Sequence, residues 1–148
     1  MNAPLYTTEI LRLAASLPLA SSLAAPHGRG EKRSATCGSV IRTEVLLEGS
    51  RVIELAQGVQ ACAFGQASAA LVQHFAVGKS RAEIGAARDR LAGWLRGEGV
   101  APVGFDVLAP AKAKVGRHGA ILLPFDALIA ALESSAAAPL VGEGDASG

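Results

Sequence analysis

The sequence predicts an α+β domain: a short antiparallel sheet of about three strands with helices packed over one face. Two observations carry that expectation. Apolar residues alternate with period two from about residue 31 to residue 59, and the period then changes to that of a helix for the rest of the chain. Strands together, followed by helices together, is the α+β order rather than the βαβ order of a parallel sheet. The third observation is size. At 148 residues the chain fits one domain with a core of its own, and half of its residues are hydrophobic while only 4% are aromatic. Much of that hydrophobicity is alanine, which favours helices and close packing between elements.

The first element is a helix from about Thr7 to Leu17, capped by Thr7 or Thr8, with Ile10, Leu13, Ala14 and Leu17 at helical spacing. Pro18 and Pro26 frame a loop that ends in a Gly28-Arg29-Gly30 turn. A short strand is expected around Lys32 to Ala35. The long strand places Ile41, Thr43, Val45 and Leu47 on one face and Arg42, Glu44 and Glu48 on the other. Glu48-Gly49-Ser50-Arg51 reads as a hairpin turn, after which Ile53, Leu55, Gln57 and Val59 continue the alternation.

Helix takes over after Cys62, with Ala67, Ala70, Leu71 and His74 on one side and Gly78 as its stop. Ser80-Arg81-Ala82-Glu83 is a capping box that opens a helix bearing Ile84, Ala87, Leu91, Trp94 and Leu95. A Gly- and Pro-containing connection spans Gly97 to Gly116, with one helical turn near Phe105 to Leu108. The last helix runs from about Leu122 to Leu132, with Pro124 in its first turn and Phe125, Leu128, Ile129 and Leu132 inward. Residues 1–133 form the domain, and 134–148, small, polar and glycine-rich, are expected to be a disordered tail.

Charge and cysteine content exclude several classes of function. Fourteen basic against thirteen acidic residues leave a net charge of +1, so nothing marks a nucleic-acid or anionic-membrane partner. No apolar run reaches the ~20 residues of a transmembrane helix. The Leu13 to Ala25 stretch is interrupted by Pro18 and preceded by Glu9, unlike a secretory leader, so a cytoplasmic location is expected. Two cysteines are too few for the framework of a small secreted protein.

Most candidate motifs have structural explanations. Gly78-Lys79-Ser80 resembles the end of a phosphate-binding loop, but Gln73 stands where that motif needs glycine and no strand precedes it, so a helix stop followed by a cap explains it. His27 and His74 read as a loop residue and a helix-face residue. No serine nucleophile elbow is present. Cys37 and Cys62 are more informative because both fall at chain reversals. Cys37-Gly38-Ser39 precedes the long strand. Cys62 lies where the return strand gives way to a helix, and a helix N-terminus favours the thiolate form of a cysteine placed there. Both sulfurs can therefore lie at one end of the sheet. His118-Gly119-Ala120 marks a third loop-to-helix junction. By chemistry alone, two unreactive buried cysteines and an ordinary histidine are the favoured reading.

The blocks Cys37-Gly38, Gln60-Ala61-Cys62-Ala63-Phe64-Gly65-Gln66-Ala67-Ser68-Ala69-Ala70-Leu71-Val72 and Gly78-Lys79-Ser80 resemble the iron–sulfur cluster scaffold family, the NifU N-terminal, IscU and SufU group. Arg117-His118-Gly119-Ala120-Ile121-Leu122 matches the junction at which that family carries a third cysteine, preceded by histidine in the IscU branch, and Tyr6 to Leu17 resembles its opening helix. The resemblance covers residues 5 to 133. Gly119 stands in place of the third cysteine and Ser39 in place of an aspartate, and Ser16-Leu17-Pro18-Leu19 replaces an Asn-Pro-Arg-Asn segment.

The resemblance implies a scaffold or carrier that binds iron and sulfide through Cys37 and Cys62, with His118 completing or tuning the site. By the same resemblance it would not itself be a turnover enzyme. The cargo would be a transient [2Fe–2S] cluster, which ordinarily takes four protein ligands, and the partners a cysteine desulfurase and recipient apo-proteins. Two subunits of a homodimer could also pool four cysteines. Zinc is the alternative cofactor: Cys₂His leaves one open position, as in a sulfur-relay protein accepting persulfide from a desulfurase. A third alternative is a binding module that kept the fold and lost the metal.

Overall fold

The computed structural model describes residues 6–18, 22–35 and 38–137. Helix α1 (Thr8–Ser16) is followed by strands β1 (Gly28–Arg33), β2 (Val40–Glu48) and β3 (Arg51–Gln60), then by α2 (Ala63–Phe75), α3 (Arg81–Leu95), two short 3-10 segments (Phe105–Ala111 and Val115–Arg117) and α4 (His118–Ala137). The strands form one antiparallel sheet in the order β1-β2-β3. Helix α4 packs over β1 and β2, and α2 packs beside it over β3. The expected α+β class and three-stranded sheet are both present.

Period two holds on β2, where Ile41, Thr43 and Val45 are buried and Arg42 is exposed. It fails on β3. Leu46 pairs with Glu54 but Leu47 pairs with Val52, so β3 carries one extra residue, Ile53, at a bulge beside the hairpin. The bulge turns Ile53 outward, 44% exposed, and buries Val52 in place of the expected Ile53. The hairpin itself is the two-residue Gly49-Ser50 loop, with Gly49 at φ 62°.

Gly28-Arg29-Gly30 is not a turn. It is the first half of β1, which lies at Gly28–Arg33 instead of the expected 32–35. The glycines serve close approach. A Cβ on Gly30 would sit 2.5 Å from the Ala131 backbone nitrogen and 2.6 Å from the Ala127 carbonyl oxygen, and one on Gly28 would strike the Ala131 carbonyl oxygen. The backbone of α4 thus rests directly on β1.

Helix α4 is also longer than expected. It begins at His118, four residues before Leu122, and ends at Ala137, so Ser134 to Ala137 belong to helix and not to a tail; residues 138–148 lie outside the described residues. Pro124 lies inside it, where it removes one internal hydrogen bond, to the Ala120 carbonyl. Burial of Ala120, Ile121, Leu123, Phe125, Ala127, Leu128, Ala131 and Leu132 outweighs that loss. The apolar length is greater than the sequence reading allowed. Val115–Ser135 is long and apolar enough to cross a membrane, but half of it is buried in the core of this domain, which accounts for its hydropathy.

The remaining helices behave as expected. Thr7 Oγ1 accepts the Ile10 N–H at 3.2 Å and caps α1. The capping box of α3 is complete: Glu83 N–H donates to Ser80 Oγ at 3.3 Å, and Ser80 N–H donates to Glu83 Oε1 at 2.9 Å. Gly78-Lys79-Ser80 has a second role beyond stop and cap. Gly78 N–H donates to the Val52 carbonyl (2.8 Å) and Val52 N–H to the Lys79 carbonyl (3.1 Å), so the tripeptide pairs with the free edge of β3. Arg51 Nη1 reaches both the Gly78 carbonyl (2.8 Å) and Glu83 (2.9 Å). Phe75, Phe105 and Phe125 meet with ring centroids 5.5–6.2 Å apart and tie the 3-10 segment to α2 and α4.

Two outcomes follow. Gly30→Ala is expected to destabilise the domain by about 1–3 kcal/mol or more, because backbone and not a flexible side chain occupies the space. Gly85→Ala, in α3 with nothing within 4 Å of the new Cβ, is expected to stabilise by about 0.5–1 kcal/mol. Urea unfolding of both variants checks the contrast. The second outcome concerns pH. The Ser80 backbone hydrogen bond, and then Arg51, hold the Glu83 carboxyl below its ordinary value of 4.5. Its contribution to stability is therefore present above that value and lost as pH falls through the lowered one. Unfolding curves across the acid range should fall more steeply for the parent than for Glu83→Gln.

Candidate functional site

Three chain reversals meet at the end of the sheet opposite the hairpin. The first joins β1 to β2. Arg33, Val40 and Gln60 lie side by side in register, and Ser34 N–H donates to the Ser39 carbonyl at 2.9 Å, closing a short loop. Gly38 in that loop takes φ 72°, a left-handed conformation that glycine adopts without cost. Cys37 belongs to this loop by sequence but lies outside the described residues.

The second reversal is the passage from β3 into α2. Cys62 is the N-cap of α2, with φ −66° and ψ 172°, and is a free, half-buried thiol. Its side chain makes no capping bond; its carbonyl takes the Gln66 N–H at 2.9 Å, and Gln66 Nε2 donates to the Ala61 carbonyl at 3.0 Å. The cap residue thus leaves its sulfur available. Tyr6 stacks edge-on against Phe64, with centroids 4.9 Å apart, and α1 covers the following turn.

The third reversal is the start of α4. His118 Nε2 lies 3.0 Å from the carbonyl oxygens of both Ala111 and Lys112. A carbonyl only accepts, so Nε2 carries a proton, and in the neutral imidazole the lone pair is on Nδ1. The two carbonyls belong to the end of the first 3-10 segment, which the imidazole caps.

Small residues bring these reversals together. A Cβ on Gly65, in the first turn of α2, would lie 3.2 Å from the Ala120 carbonyl oxygen and 3.4 Å from its Cβ, so the starts of α2 and α4 touch. Ser68 Oγ donates to the Ile121 carbonyl at 2.6 Å one turn further on. A Cβ on Gly119 would meet Ser34 Oγ at 3.6 Å, an ordinary contact, and nothing else within 4 Å. Position 119 therefore opens toward the loop that contains Cys37. The sequence reading missed Ser34, one serine after a basic strand, and no sequence signal singles it out.

The helix start carrying Cys62 and that carrying His118 are adjacent. Among the described residues, no group of three His, Cys, Asp or Glu side chains is close enough to hold a metal, and the set that includes Cys37 extends beyond them. His27 and His74 lie elsewhere: His27 Nδ1 accepts the Leu47 N–H at 2.8 Å beside the bulge, and His74 lies in the last turn of α2. Arg33, which ends β1, pairs with Glu31 at 3.4 Å, and Lys112, before α4, places its ammonium over the Trp94 ring.

A three-stranded antiparallel sheet with helices over one face is an α+β domain, and its fold matches that of NifU-like structures. The likeness to solved structures agrees. A nitrogen-fixing NifU-like protein (N-terminal part) from Brucella abortus superposes with a TM-score of 0.82 and 29% identity, over 89% of this chain and 94% of that one. A protein assigned as an iron–sulfur cluster assembly scaffold for the SUF system of Fervidobacterium islandicum gives 0.79 and 20%, over 86% and 96%. A hypothetical protein gives 0.74 and 22%, over 84% and 94%. No family model and no curated protein matches the chain. The likeness in fold thus extends well beyond the Cys62 and Gly78-Lys79-Ser80 blocks.

Gly119→Ala tests the geometry at position 119. Gly119 lies within α4 with no left-handed φ and open space before it, so the variant should fold and gain about 0.5–1 kcal/mol in helix propensity. Thermal unfolding measures the gain.

Proposed function

We propose that this chain is a scaffold or carrier in iron–sulfur cluster assembly and not a turnover enzyme. The observation that supports the reading best is the meeting of three loop junctions at one end of the sheet. One holds Cys37 in sequence, one presents the Cys62 sulfur uncommitted to capping, and one carries His118 with Nδ1 free. The scaffold description of the Fervidobacterium protein and the NifU-like description of the Brucella protein support the same role.

In this reading the cargo is a [2Fe–2S] cluster built from delivered iron and sulfide, with Cys37 and Cys62 binding as thiolates. His118 completes the set through Nδ1 while its Nε2–H stays bonded to backbone carbonyls, the arrangement that orients a metal-bound histidine. Gly119 supplies no side chain, so one iron position is left to a partner, a second subunit or an outside ligand, which suits release more than storage. A cysteine desulfurase is the implied sulfur donor, together with an electron donor that reduces its persulfide sulfur to sulfide by two electrons, and an apo-protein is the implied recipient.

Anaerobic reconstitution with iron and sulfide, followed by absorbance spectra, tests this. The parent should bind a cluster weakly. Gly119→Cys, which the open space accommodates, should lengthen cluster lifetime on the order of tenfold, the scale on which neighbouring groups tune metal sites. Cys62→Ala should abolish binding in either background. A folded Gly119→Cys variant that holds no more iron than the parent would overturn the proposal. Zinc in the protein as isolated, with no cluster on reconstitution, would transfer the assignment to a sulfur relay.

A further inference from the structure

Two opposed polar side chains inside the core each hold one oxygen without a partner. Thr43 on β2 and Gln57 on β3 are directly opposed in the sheet register, on the face covered by the helices. Thr43 is 1% exposed and Gln57 4% exposed, and neither Thr43 Oγ1 nor Gln57 Oε1 has a hydrogen-bond partner in the protein. A buried hydroxyl or amide oxygen left unpaired is costly, and native interiors rarely hold two side by side.

Rotating the amide does not remove the problem. Gln73 Nε2 donates to the Leu55 carbonyl at 2.9 Å, which fixes the Gln73 oxygen toward Gln57. Gln57 Nε2 then donates to Gln73 Oε1 at 2.8 Å and to the Ala69 carbonyl at 3.0 Å. Both backbone oxygens only accept, so the orientation of each amide is set at its own end. Gln57 Oε1 is a true acceptor without a donor, and the pull of its Nε2 toward α2 keeps it from the Thr43 hydroxyl.

We infer that one ordered water is bound between Thr43 Oγ1 and Gln57 Oε1. It donates to the amide oxygen and accepts from the threonine hydroxyl, satisfying both. The neighbouring helical residues are small: Ala69 of α2 is bonded to Gln57, and Ala127 of α4 rests on Gly30, the β1 neighbour of Thr43. The water completes a polar belt through Thr43, Gln57 and Gln73. Toward the site end lies the small apolar cluster of Ile41, Leu123 and Ala127 with Val59, and the main core, with Val45 and Leu55, lies on the other side.

A high-resolution crystal structure of the full chain tests the inference. One water peak within about 2.6–3.2 Å of both oxygens is expected. A site without that peak, or a direct Thr43–Gln57 hydrogen bond, would overturn it. Thr43→Val gives a second readout in solution. With the water bridging, removing its anchor should lower the thermal midpoint by roughly 2–4 °C. An unchanged or raised midpoint would show that the hydroxyl is merely orphaned and would contradict the assignment.

Discussion

The contact of α4 with β1 is the constraint on which the rest of this structure depends. A helix normally meets a sheet through side chains about 10 Å from backbone to backbone. Here Gly28 and Gly30 have no side chains, and the helix presents Ala127 and Ala131, so the two backbones touch. That seating fixes the angle and register of a 20-residue helix along the sheet. Its start then falls beside Ser34, and its second residue past His118 meets Gly65 of α2. The positions of the three loop junctions thus follow from two glycines near the other end of β1.

The same logic explains the alanine content. Each close approach at the site end uses a small residue: Gly65 against Ala120, Gly119 against Ser34, and Ser68 against the Ile121 carbonyl. Large aromatic residues gather instead where Phe75, Phe105 and Phe125 hold the long connection onto the core. Bulk secures the domain and smallness shapes its functional end. Between them, the Thr43–Gln57–Gln73 belt divides the apolar interior into two parts.

Much of this was legible in the sequence, and the misses have physical causes. Alternation on β2 and the Ser80 to Glu83 box gave a strand and a helix start at their true places, because both are local signals. Gly28-Arg29-Gly30 was misread because a glycine that permits close approach looks the same in sequence as one that permits a turn. Ile53 was turned outward by a bulge, which shifts side-chain parity without marking the sequence. The start of α4 was placed late because Pro124 resembles a first-turn proline, while tertiary burial carries the helix through it. Cys62 and His118 stand at loop-to-helix junctions that the sequence marks. Ser34 carries no such mark, since its role comes only from the fold.

Cobalt(II) titration of the reduced protein tests the central claim most directly, because thiolate-to-cobalt charge-transfer bands report how many cysteines share one ion. The account predicts one ion per chain, with bands that weaken sharply in both Cys37→Ser and Cys62→Ser. Bands that survive either substitution unchanged would show that the two thiols do not belong to one site, and would contradict the account.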